Sequence, residues 1–241
     1  MMVEPIIFPH RLACRAASKS WNLLGNVTGP GQSGIGTFPV ARMDGGGVWT
    51  ADLNGIVLRE ADDMAMFRAV RMLAQGGVQP MLVERLDMML PPVPIVDGKK
   101  QYGMVEVPHS DDAPFSDGTL YSQSPIDAYT VGAAALRATT LTIEFLTGSP
   151  LRGGESFSIA HPTQRDHMYE IATVEVDTSG NSVVTFSPPL REAVTDGTYV
   201  EFYRPRCVMR LKTPDAMNIA MEVRPFPRPN VSFIEYFYPV T

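Results

Sequence analysis

The sequence predicts a mainly β protein: a β-sandwich with one flanking α-helix, plus a second small β-module. Three observations carry this. Apolar residues make up 44% of the 241 positions and charged residues 19%, a globular balance. Short alternating or β-branched runs recur between Gly, Pro and Asp turn signals along most of the chain. A single stretch, residues 59–75, carries apolar side chains at helical spacing.

Residues 11–17 and 21–27 read as extended segments around a turn at 18–20. The run TGPGQSGIGTFP at 28–39 is too polar to carry its own core, so it reads as an exposed loop or a hairpin arm. Residues 49–58 form a strand, with Gly55 marking a bulge. In the helix over 59–75, Glu60, Asp62 and Asp63 fall in the first turns, where the helix dipole favours negative charge. Met66, Phe67, Val70, Leu73 and Ala74 share one face, and Gly76-Gly77 stops the helix. Residues 79–86 give another strand, which PPVP at 91–94 breaks off. Residues 96–129 are a polar surface connector.

Residues 130–212 make the second module. Its core is Leu151–Leu211, a series of short strands with turns at DTSGN (177–181) and at Asp196-Gly197. The first sandwich occupies 1–95. The pattern leaves open whether the extended pieces in 213–241 complete it.

Several function classes are disfavoured. With 26 acidic and 20 basic residues and a net charge of -6, the chain lacks the cationic surplus that phosphate neutralisation requires. No apolar run is long enough for a membrane-spanning helix. Glu4 and two prolines stand where a signal peptide would be basic and then continuously apolar, so mature sequence is expected. Cys14 and Cys207 are too few for a disulfide scaffold, and no closely spaced pair suggests zinc. They read as buried or half-buried thiols in a reducing compartment.

Candidate chemistry is sparse. His161, Asp166 and His167 read as a solvent-exposed hairpin loop and not as metal ligands. Asp111, Asp112 and Asp117 lack the oxygen-ligand alternation of an EF-hand. GPGQSGIG at 29–36 lacks the GK[ST] ending of a phosphate loop, and no G-x-S-x-G elbow occurs. No cofactor, no metal and no enzymatic activity are expected.

The stretch from Leu151 to Leu211 resembles a module of tail proteins in long-tailed bacteriophages and prophages. The resemblance runs through Leu151, Arg152 and Gly154; Phe157 and Ile159; Tyr169, Ile171 and Val174; Asp177, Gly180 and Asn181. It continues through Val184 to Phe186, Pro188, Leu190, Arg191, Asp196, Gly197 and Cys207 to Leu211, and VPHSDDAPFSDGTLY (107–121) resembles a segment preceding that module. The first half is compatible with the tail-tube fold. The combination looks like a distal tail protein, although many of those carry a larger, carbohydrate-binding-like second domain.

The resemblance implies a homo-oligomer, a hexameric ring, that joins the tail tube protein to hub and baseplate proteins in the virion tail tip. Stable nucleic-acid binding is not expected. Ile35, Phe38 and Trp49 are the expected subunit contacts. The alternatives are another minor tail or hub protein, or a host-surface module that binds carbohydrate or hydrolyses cell-wall glycan. Exposed Tyr102, Tyr121 and Tyr129 would serve the sugar-binding version.

Overall fold

In the computed structural model, residues 4–25, 27–28, 41–42, 46–86, 91–107, 121–219 and 226–239 are described. The first part of the chain contains β1 (Ile6–Ile7), α1 (His10–Cys14), β2 (Ser18–Leu24), β3 (Val27–Thr28), β4 (Ala41–Arg42), β5 (Val48–Asn54), α2 (Ala61–Leu73) and β6 (Met81–Glu84). Four short strands follow: β7 (Ile95–Val96), β8 (Lys99–Lys100), β9 (Val105–Val107) and β10 (Tyr121–Gln123). The remainder holds β11 (Asp127–Val131), β12 (Thr140–Thr147), β13 (Ser156–His161), β14 (Arg165–Val176), β15 (Ser182–Ser187), β16 (Arg206–Leu211) and β17 (Val231–Glu235). The molecule is mainly β with one long helix, as the sequence pattern predicts.

Two sheets organise it. The larger has the order β1-β6-β16-β17-β5-β2, antiparallel except for the β1–β6 pair. Alternation along β17 turns Val231, Phe233 and Glu235 inward. Phe233 meets Phe8 edge to face, 5.2 Å between ring centroids. The helix α2 adds Phe67 and Val70 to this core, and Ala74 just after it joins them; burying Phe67 alone is worth about 1.5–3 kcal/mol. Leu73, placed on the same face by its spacing, is exposed at the helix end.

The smaller sheet has the order β11-β12-β15-β14-β13. Its two edge strands are joined by one segment: Tyr199 bridges to Tyr129 on β11, and Glu201 bridges to Ser158 on β13. Residues 199–201 therefore close the curled sheet and cap both of its edges. Inside lie Phe157, Tyr169, Phe186 and Phe202.

The structure corrects the expected layout at two places and answers one question that the pattern left open. Arg206–Leu211, grouped by sequence with the second module, is a central strand of the larger sheet. Val231–Glu235 pairs with β16 and β5 in that sheet, so the C-terminal part does return to it. Residues 10–14 form a helical turn where an extended segment was expected, because a five-residue helix cannot display a helical period. Among the described residues, no helix is long and apolar enough to cross a membrane.

Candidate functional site

Three features of the described chain are candidates for function: a surface, a buried junction and a cavity. The surface begins with β2, a seven-residue edge strand paired on one side only, to β5, among the described residues. Beyond PPVP the β7–β8 hairpin turns at Asp97 and Gly98, with φ of 51° and 73°. Positive φ at both central residues matches the right-handed twist of a two-residue hairpin. Ile95, Val96, Tyr102, Met104 and Val105 are all exposed along this short stretch. Such a run is unusual for a surface facing only water.

The junction lies where β14 crosses behind β16 and β17. Glu235, fully buried, accepts the Trp49 backbone N–H at 2.9 Å. It also accepts His167 Nδ1–H at 2.7 Å and the Arg191 guanidinium at 3.1 and 2.8 Å. Arg191 Nη2 donates as well to the Gly47 carbonyl at 2.7 Å, and its guanidinium lies 4.9 Å from the Phe237 ring centre. A second chain runs from the Arg191 backbone N–H to the Tyr169 hydroxyl, which donates to His161 Nε2 at 2.7 Å. Trp49 Nε1–H donates to the Met168 carbonyl at 2.8 Å, tying the two sheets together.

The electrostatics follow from this packing. Burial pushes Glu235 up, but the His167 hydrogen bond and the Arg191 charge outweigh it and hold the carboxyl below its ordinary value. Burial, reinforced by His167, lowers His161 to about 4. Burial raises the Tyr169 phenol and the Cys207 thiol. His167, Cys207 and Glu235 place ligand-type atoms within 4.8 Å of one another. The Glu235 oxygens are already engaged by a guanidinium, so an added cation would meet a positive charge where it needs a negative one. The group fits a structural knot better than a metal centre.

The cavity, about 280 Å³, is lined by His10, Cys14, Lys19, Tyr102, Tyr203 and Arg204, among others. Cys14 Sγ lies 3.2 Å from His10 Nε2, and His10 Nδ1 lies 2.6 Å from Glu84 Oε2.

No protein-family model matches this chain, and no curated protein matches it.

The structure distributes the residues singled out by sequence as follows. Trp49 is 4% exposed, so its surface is spent inside the chain and not on an outer face as expected for a subunit contact. Ile35, Phe38, Asp111, Asp112, Asp117 and the run 29–36 lie outside the described residues. His161 and His167 are buried, which corrects the exposed-loop expectation. His161 ends β13 and His167 is the third residue of β14, so both sit in paired strands and not in the loop between them. Next to His167, Met168 packs into the core of the larger sheet, and Tyr169 and Ile171 into that of the smaller one. Tyr102 is exposed beside the cavity, while Tyr129 is half-buried and packs edge to face on Tyr199 at 5.7 Å. Tyr121 opens β10 opposite Val107. Cys207 is buried as expected, whereas Cys14 is exposed, which corrects the expectation of two buried or half-buried thiols. Sequence reasoning missed the grouping of Cys14 with His10 and Glu84. The i, i+4 spacing of His10 and Cys14 was a usable signal only once the segment is known to be helical.

Proposed function

We propose that this chain is a structural subunit of a bacteriophage tail, forming a ring that connects the tail tube to the tip or baseplate in the virion. The observation that carries the reading is the unpartnered surface. Among the described residues, a seven-residue strand with one paired edge and the exposed apolar side chains between Ile95 and Val105 offer surface that a second copy could cover. An edge strand and an apolar arm are what a neighbouring copy can cover, and rotation closes such contacts into a ring. The net charge of -6 suits a wall along which DNA slides without sticking. The resemblance of Leu151–Leu211 to tail modules supplies the assignment to a tail, with the tail tube and hub or baseplate proteins as neighbours. The junction around Glu235 would hold the two sheets at a fixed angle, which a ring subunit needs.

Native mass measurement with negative-stain imaging tests the proposal. The expected result is a closed homo-oligomer, a hexamer. A double variant, Ile95→Lys with Val96→Glu, should keep the unfolding temperature of the parent and lose the ring. A chain that stays monomeric at every concentration and joins no tails would overturn the reading.

A further inference from the structure

A thiol and an imidazole line the cavity beside α1, and a carboxylate contacts the imidazole from behind. His10 and Cys14 sit four residues apart in a helical turn, so both side chains leave the same face. The parallel β1–β6 register, extended by the Phe8 N–H to Leu82 carbonyl bond of 2.9 Å, brings Glu84 beside His10. A carboxylate only accepts, so the 2.6 Å contact to Glu84 places the hydrogen on His10 Nδ1. The Nε2 lone pair then faces Cys14 Sγ at 3.2 Å. Nucleophile, base and orienting group are in the order that thiol acylation needs. The cavity that adjoins them has Tyr102 and Tyr203 for an apolar body, and Lys19 and Arg204 for a negative charge.

We propose that Cys14, His10 and Glu84 form an activated-thiol site at which Cys14 accepts an acyl group from a small ester or thioester bearing negative charge. His10 Nε2 takes the Sγ proton, and the thiolate attacks the carbonyl carbon. The new S–C bond forms as the bond from that carbon to the leaving oxygen or sulfur breaks. The leaving group departs with that electron pair and collects the proton from His10. The products are a thioester on Cys14 and a free alcohol or thiol, with no oxidant or cofactor consumed. Glu84 is a positioning residue, because it acts through His10. The inference stands apart from the tail reading: a ring subunit or a monomer could carry it.

The test uses the full chain with two probes, mono-p-nitrophenyl succinate, which is anionic, and p-nitrophenyl acetate, which is neutral. One equivalent of p-nitrophenolate should be released, and peptide mass spectrometry should place the acyl group on Cys14, since Cys207 is buried. The folded chain should react about 100-fold faster than the same chain in urea at the same pH, the scale of positioned general-base assistance. The succinate ester should be preferred, and Lys19→Gln with Arg204→Gln should abolish the preference. His10→Ala should slow acylation by about 100-fold, and added imidazole should restore it. Glu84→Gln should slow the reaction when His10 is present and have no further effect in the His10→Ala chain, a coupling that a purely structural carboxylate would not show. Equal rates in the folded and urea-unfolded parent chain would overturn the proposal, even if a variant fails to fold. So would an unchanged rate in folded His10→Ala.

Discussion

Glu235 and His161 each make stability depend on pH, in two different windows. Glu235 titrates below its ordinary value of 4.5 in the folded chain, so its contribution is full above that value and is lost as pH falls through the folded one. Glu235→Gln removes the carboxylate from a nearly buried Arg191 and should cost about 3–5 kcal/mol in urea unfolding at neutral pH. His161 acts earlier. Burial, with the neighbouring His167 next in size and Glu192 opposing, moves it from 6.5 to about 4. Between those two values the unfolded chain binds a proton that the folded chain refuses, so stability falls as pH drops from 6.5 to about 4. The full effect is on the order of 3 kcal/mol. In His161→Gln, unfolding measured at stepped pH should show that slope flattened. Gly46 makes a third residue-level case. Its φ is 68°, and a Cβ there would lie 2.1 Å from Pro189 Cδ. Gly46→Ala should lower stability by roughly 1–3 kcal/mol, read as a fall in the unfolding midpoint. None of these environments was legible in the sequence, because each depends on groups from β14, β17 and the Pro188-Pro189 turn arriving at one point.

At the scale of elements, legibility followed length. The helix expected over 59–75 is found as Ala61–Leu73, because thirteen residues display several turns of periodicity and an acidic start. Its N-terminus is built more elaborately than its sequence suggests. Asp63, fully buried, accepts the backbone N–H groups of Arg59 and Glu60 at 3.2 and 3.1 Å. It also pairs with Arg11 and Arg15, which reach it from α1 and the residue after it. Asp63→Ala should therefore cost more than the usual loss of a cap near 1 kcal/mol, about 2 kcal/mol, because two ion pairs go with the cap while Arg11 and Arg15 keep Glu60. A thermal melt of the variant against Asp62→Ala, whose side chain is outside this group, separates the two effects. The one-turn helix α1 escaped the sequence reading, and with it went the alignment of His10 and Cys14. The strands from Thr140 to Ser187 were legible, as alternation and the Asp177–Asn181 turn mark them. Within the expected series of short strands, residues 198–203 instead make single bridges to two partners.

For the whole molecule, composition and alternation were enough to predict a mainly β protein, but not which strands share a sheet. Pairing between segments more than a hundred residues apart leaves no local trace. That is why Arg206–Leu211 was grouped with its sequence neighbours when one of its partners is the distant Met81–Glu84. A chain ending at Thr213 would lack β17 and leave β5 and β16 without their common neighbour. Its tryptophan emission should shift to the red as Trp49 meets water, while the strands of the smaller sheet keep their protection from hydrogen exchange. The position of β17 has a further consequence during synthesis. The strand at the middle of the larger sheet is made well after β2, β5 and β6, so these must wait for it with their apolar faces uncovered. At cellular elongation speeds the interval between β5 and β17 is on the order of ten seconds or more. The smaller sheet, finished first, would be the folded body on which that waiting half of the nascent chain comes to rest.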